Sequence, residues 1–222
     1  MELTGLKDRL FVVTGAAQGI GEGVARALAN AGARLALVDA NGDGVSSVAT
    51  SLGDAAGAWT ADVSSEDDVE RIVADIERSA GDIGGLVNVA GIQRLSPLLD
   101  QPVEDFDATM NVNLRGTFLM TRAVGRRMAG RGAGAIVTIS SNAARVPRVR
   151  QGAYCASKAA VSHLMRVFAL ELGPKGVRCN TVAPGSTETE MIRHMMGDMG
   201  FGEELLSGAD VATRFDEEEW EW

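Results

Sequence analysis

Leu10-Phe-Val-Val-Thr14-Gly15-Ala-Ala-Gln18-Gly19-Ile20-Gly21, LFVVTGAAQGIG in one-letter code, is a short apolar run broken by three glycines within seven positions. The run is strand-sized and the amphipathic stretch after it, to about Ala31, is helix-sized, so the spacing predicts strand, tight turn and helix in immediate succession. Glycines at 15, 19 and 21 let the backbone turn sharply and approach a ligand closely. The helix start presents free N–H groups and the positive end of its dipole, the surroundings a pyrophosphate needs.

Working outward, the next apolar run, Arg34 to Asp39, ends on an acid eighteen residues beyond Gly21. A carboxylate there can accept hydrogen bonds from ribose hydroxyls and repels a 2′-phosphate, so NAD is expected over NADP. The neutral Gln18, standing before the second glycine, offers no cation for an extra phosphate. Further strands are predicted at Arg9 to Thr14, Gly57 to Ala61, Gly84 to Asn88, Ala135 to Ser140 and Gly176 to Thr181, with helices between them. Continuous apolar runs such as LFVV, LALV and AIVTI suit strands covered on both faces. The alternation predicts an α/β fold, a doubly wound Rossmann-type parallel sheet with helices on both faces. The segment after Asn41, NGDGVSSVATSLGD, is glycine-rich and a poor helix on propensity.

A length of 222 residues suits one core. Of the thirty acidic residues behind the formal charge of -9, five (Asp216, Glu217, Glu218, Glu219 and Glu221) lie in the last seven positions, leaving a mildly acidic body. No basic stripe marks a nucleic-acid partner. Two cysteines, Cys155 and Cys179, give neither a disulfide framework nor a metal-binding spacing, and no long apolar stretch marks a membrane span or leader. The expectation is a soluble, cytoplasmic protein with a small-molecule substrate, no metal, no nucleic acid and no membrane.

The chain has one tyrosine and three lysines against eighteen arginines, yet Tyr154 and Lys158 stand four positions apart in YCASK. The spacing of Ala153, Ala156, Ala160, Leu164, Val167, Phe168 and Leu172 predicts a helix from Gln151 to Leu172, which puts phenol and ammonium on one face. A phenol with a pKa near 10 is a weak base at neutral pH. A cation at about 4 Å and an effective dielectric of about 20 is worth about 4 kcal/mol, so the ammonium is expected to lower the phenol by as much as about three units.

TGAAQGIG, Asp62-Val63, NVAG at Asn88 to Gly91, Asn113 in MNVNLRG, ISS at Ile139 to Ser141, YCASK and Pro184-Gly185 follow in an order and spacing that resembles the short-chain dehydrogenase/reductase family, from about Leu6 to Met191. The resemblance implies a catalytic tetrad of Asn113, Ser141, Tyr154 and Lys158. Tyr154 would be the proton-transfer group, Ser141 would hold the reacting oxygen, and Asn113 would fix a water leading to Lys158. It implies NAD contacts from Gly15, Gln18, Gly19, Ile20, Gly21, Asp39, Asp62, Val63, Asn88, Ala90, Gly91, Tyr154, Lys158, Pro184, Gly185, Thr187 and Thr189. Val89 departs from the family, which usually has a second Asn there.

Phrases around Arg94, Pro147-Arg148 and PGSTETEM at Pro184 to Met191 are similar to a narrower group within the family, dehydrogenases of cyclic dihydrodiol carboxylic acids that yield the catechol acids of siderophores. Arg94, Arg145, Arg148 and Arg150 fall on loops where substrate should bind. A guanidinium grips a carboxylate by two parallel bonds. Arg94 or Arg148 is the expected anchor, with Ser141 and Met191 also at the substrate. Residues 1–189 are read as one catalytic domain, 190–207 as a methionine-rich substrate lid with a remnant helix, and 208–222 as an acidic tail. The usual last helix and seventh strand are expected to be lacking, which would expose the sixth strand and leave homo-oligomerisation in doubt. A non-catalytic NAD-binding protein is the competing expectation, alongside reduction of another carbonyl such as a 3-oxoacyl thioester.

Overall fold

The computed structural model of the protein describes residues 5–185. Six parallel strands, β1 (Leu10–Thr14), β2 (Arg34–Asp39), β3 (Ala56–Thr60), β4 (Ile83–Asn88), β5 (Gly134–Ile139) and β6 (Val177–Val182), form one sheet in the order β3-β2-β1-β4-β5-β6. All five residues of β1 are buried, as a central strand covered on both faces requires. The intervening helices are α1 (Gly19–Asn30), α2 (Gly42–Leu52), α3 (Glu66–Ala80), α4 (Val103–Met110), α5 (Thr117–Arg131) and α6 (Gly152–Leu172). Two apolar clusters line the sheet: one built on Val12, Ile72, Leu86 and Met165, the other on Val13, Leu37 and Val45. This is the doubly wound arrangement that the alternation predicts.

The glycine-rich segment after Asn41 is a helix despite its composition. The Asn41 side chain caps α2 by accepting from the Gly44 N–H at 3.0 Å, and Val45, Val48 and Ala49 are buried against the sheet. A cap and an apolar face outweigh weak propensity here. α4 runs through a π-helical stretch, Asn111–Gly116, into α5. A Cβ on Gly116 would lie 2.7 Å from Val63 Cγ2, so the absence of a side chain lets this turn approach the loop after β3.

The strand order reverses between β1 and β4. Their carboxyl ends part there, opening a crevice in which open α/β sheets bind ligands. Among the described residues β6 is an outer strand, with Arg178, Asn180, Thr181 and Val182 exposed. No helix among the described residues is long and apolar enough to cross a membrane. The expected lid at 190–207 and the tail at 208–222 lie outside the described residues, as do Thr187, Thr189 and Met191.

Candidate active site

A cleft of about 400 Å³ opens at the crevice. Its dinucleotide end is the glycine turn. Gly15 sits at φ 66°, where side chains are strained, and a Cβ there would stand 2.7 Å from the Ala90 nitrogen. A Cβ on Gly21 would fall 1.9 Å from the Gly15 carbonyl oxygen, so neither position has room for a side chain. Gln18 is the N-cap of α1 and makes no side-chain cap bond, which leaves the first helical N–H groups open to an anion. Gln18, Gly19, Ile20, Asp39, Asp62, Val63, Ala90 and Gly91 all line the cleft, and Pro184 and Gly185 close it after β6. The glycine turn, the helix start without a side-chain cap and the acid at the end of β2 fit a dinucleotide.

Asn88 does not reach this surface. It is buried, and its amide donates to the Thr121 hydroxyl at 3.0 Å and the Thr138 hydroxyl at 3.1 Å, tying β4 to α5 and β5. The Asn88 side chain is thus structural, and the cleft wall begins with Val89.

The four residues expected to form the tetrad converge from three elements, since Tyr154 and Lys158 share α6. The π-helical stretch carries Asn113, whose amide donates to the Ile92 carbonyl at 2.9 Å and the Ser157 hydroxyl at 3.0 Å while its Oδ1 accepts from the Ile92 N–H at 2.8 Å. These bonds lock the side chain, and its backbone carbonyl accepts from the Thr117 hydroxyl at 2.7 Å. A Cβ on Gly91 would stand 3.2 Å from Asn113 Oδ1 and 3.5 Å from Lys158 Nζ, so glycine keeps open the space that the two share. Lys158 is buried and donates from Nζ to the Ile139 carbonyl at 2.9 Å. Its Nζ lies 5.7 Å from the centre of the Tyr154 ring. Ser141, just beyond β5, lines the cleft with Tyr154, and its Oγ accepts from the Ala143 N–H at 3.1 Å.

Electrostatics differ from the expectation at Tyr154. Burial pushes the phenol above its ordinary pKa, although the Ser141 hydrogen bond and the Arg148 charge pull it down; the neighbouring Cys155 adds a further upward push. Coulomb attraction to Lys158 alone, as reckoned from sequence, leaves out the desolvation that dominates. The same burial lowers Lys158 to about 8.

The substrate arginines separate. Arg148 lines the cleft with Ser141, Asn142 and Tyr154, and its Nη2 donates to Asn142 Oδ1 at 2.9 Å. Arg94 is exposed, lies off the cleft wall and pairs with Asp105 at 3.9 Å. Asn142, Gln93 and Gln151 are wall residues that sequence reasoning missed. Their one signal was position: each lies within a few residues of a recognised motif. Among the described residues no group of three or more His, Cys, Asp or Glu could hold a metal ion.

Known proteins resemble this chain in sequence and in fold. The short chain dehydrogenase family profile matches residues 9–199. The chain is 42% identical over 212 residues to 2,3-dihydro-2,3-dihydroxybenzoate dehydrogenase of Bacillus subtilis, covering 94% of this chain and 81% of that protein. It is 43% identical over 189 residues to D-threitol dehydrogenase of Mycolicibacterium smegmatis, covering 84% and 73%. The solved structure of 3-ketoacyl-(acyl-carrier-protein) reductase from Brucella melitensis complexed with NADH superposes with a TM-score of 0.83 at 34% identity, covering 85% of this chain and 80% of that one. The chain therefore belongs to the short-chain dehydrogenase/reductase family and is an oxidoreductase that acts on alcohols or carbonyls.

Proposed function

We propose that the protein oxidises the carbinol of a cyclic dihydrodiol carboxylic acid, with NAD as cofactor, to a catechol acid. The observation that carries this reading is Arg148: a guanidinium in the cleft wall, within the same surface as Ser141 and Tyr154, held by a neutral amide and, among the described residues, by no acid. Its charge stays available to a ring carboxylate, whereas Arg94 already faces Asp105. The likeness to 2,3-dihydro-2,3-dihydroxybenzoate dehydrogenase supports the same class. Asp39 at the ribose end supports NAD over its phosphorylated form.

In the forward reaction Ser141 holds the substrate oxygen by a hydrogen bond and Tyr154, as phenolate, accepts the hydroxyl proton. NAD bound in the cleft supplies the acceptor for the hydride. Lys158, anchored on the Ile139 carbonyl, holds positive charge behind the ring, and Asn113 fixes the backbone of Ile92 beside it. The ketone then tautomerises to the aromatic ring, which makes oxidation the favoured direction.

The test is reduced-nicotinamide absorbance with purified protein, NAD and 2,3-dihydro-2,3-dihydroxybenzoate, run beside D-threitol and, in reverse, a 3-oxoacyl thioester. Turnover of the dihydrodiol acid with the highest kcat/KM is expected. Replacing Arg148 by Gln should raise KM for the acid about tenfold or more and leave that for neutral diols nearly unchanged. A better rate with the polyol, or an unaltered KM in the Arg148 variant, overturns the substrate assignment.

A further inference from the structure

The Asp39 carboxylate is engaged before any ligand arrives. Its Oδ2 accepts from the Ala17 N–H at 2.9 Å, in the middle of the glycine turn, and its Oδ1 accepts from the Asn41 N–H at 2.9 Å. Among the described residues the turn has few other holds. The N-cap residue of α1 adds no side-chain bond, and Ala16 N–H reaches the Val38 carbonyl at a longer 3.3 Å. The start of α2 packs on the same point, since a Cβ on Gly44 would stand 3.0 Å from the Ala17 methyl. Ala17 is thus gripped from β2 and α2 but scarcely from its own helix.

We propose that Asp39 is a positioning residue for the pyrophosphate turn as well as a partner for the ribose. By fixing Ala17 it sets where the open N–H groups of Gly19, Ile20 and Gly21 point. The ribose half rests on the dinucleotide reading above; the brace does not. A carboxylate forms a charge-assisted bond, stronger than one between neutral groups. Four lone-pair sites allow it to hold two backbone N–H groups and still accept from hydroxyls. Substituting Asp39 to admit NADP therefore loosens the phosphate site at the same stroke. An acceptor must stay at position 39 for the turn to keep its shape.

The experiment uses the full chain without cofactor and reads amide hydrogen exchange at Ala17 in wild type, Asp39→Ala and Asp39→Asn. Asp39→Ala should speed exchange at Ala17 about tenfold, and Asp39→Asn, which keeps one acceptor oxygen, should restore part of the protection. Amides of Val12 and Leu37, inside the sheet, should be unchanged in all three, which separates the brace from loss of fold. Unchanged exchange at Ala17 in Asp39→Ala overturns the proposal. Should Asp39→Ala fail to fold, Asp39→Asn still decides: protection at Ala17 below wild type, because a neutral oxygen makes the weaker bond, supports the brace, and full wild-type protection refutes it. A second readout is affinity for NAD and for its analogue with a 2′,3′-dideoxy adenosine ribose. A ribose-only role leaves the analogue's affinity untouched by Asp39→Ala, whereas the brace requires it to weaken as well. If wild type binds NADP as tightly as NAD, the cofactor preference falls while the exchange result stands on its own.

Discussion

Lys158 is the place where catalysis and stability pull apart, and replacing it by Met measures the conflict. The side chain is 5% exposed and burial lowers its pKa from an ordinary 10.5 to about 8. Each unit of displacement corresponds to about 1.4 kcal/mol, so below pH 8 the buried ammonium costs about 3 kcal/mol. The sign follows from proton counting. Between the two values the unfolded chain holds the proton and the folded chain does not, so stability rises with pH across that window. Below 8 both states are protonated and the whole cost is present. At about pH 9.5 only about 1 kcal/mol of it remains. Lys158→Met removes the burden at every pH but leaves the Ile139 carbonyl without its donor, a loss of about 1 to 2 kcal/mol. Relative to wild type, the variant should therefore be more stable by about 1 to 2 kcal/mol at about pH 7 and lose about 2 kcal/mol of that advantage by about pH 9.5. Urea unfolding of both proteins at the two pH values supplies the measurement, because other titrating groups are common to both and cancel. A stability difference that does not change between the two pH values refutes the reasoning. Turnover should be lost in the variant throughout.

Tyr154→Phe should retain cofactor binding and cut kcat by about a thousandfold, the scale of a lost proton-transfer group, as read by steady-state kinetics. Because burial raises the Tyr154 pKa, wild-type oxidation should climb as pH rises above neutral and the reverse reduction should fall, so matched profiles in both directions check the sign. Gly21→Ala puts a methyl 1.9 Å from the Gly15 carbonyl oxygen and should cost about 1 to 3 kcal/mol while abolishing cofactor binding, measured by thermal unfolding and titration calorimetry. Arg127 contacts Glu70 at 3.8 Å and Glu77 at 3.1 Å in a ladder joining α5 to α3; Arg127→Ala should cost about 1 kcal/mol in dilute buffer and much less in molar salt, as paired melts would reveal.

Most strands are legible because each is a continuous apolar run between turn-forming residues, and their boundaries shift by only a residue from expectation. The π-helical stretch that carries Asn113 is not legible at all: nothing in the spacing of MNVNLRG marks a widened turn, and the close approach of Gly116 to Val63 exists only in the folded chain. The inward turn of Asn88 is hidden for a related reason. β4 is buried on both faces, so no alternation says which side chain faces the cleft. Tetrad positions follow from their motifs, yet the choice between Arg94 and Arg148 depends on loop geometry that has no periodic signal. Propensity misjudged α2 because a cap and three buried side chains act together where each residue alone argues weakly.

The opposed shifts of Tyr154 and Lys158 bear on what the cleft is built to do. Burial drives the phenol and the ammonium in opposite directions, each toward its neutral form. A site designed only to make a phenolate at rest would be wetter. Instead the resting protein keeps the proton on Tyr154 and lets two modest influences oppose burial, the Ser141 hydrogen bond and the Arg148 charge. The dryness that makes ionisation costly also makes each of these influences act at short range with little screening. A substrate carboxylate that takes up Arg148 then weakens one influence holding the phenol down, so binding of an acid and ionisation of Tyr154 are coupled with negative sign. Neutral diols should accordingly be oxidised with a lower apparent pKa than the acid. Comparing the kcat pH profiles of the two substrate classes tests the coupling: identical midpoints show that Arg148 and the phenol act independently.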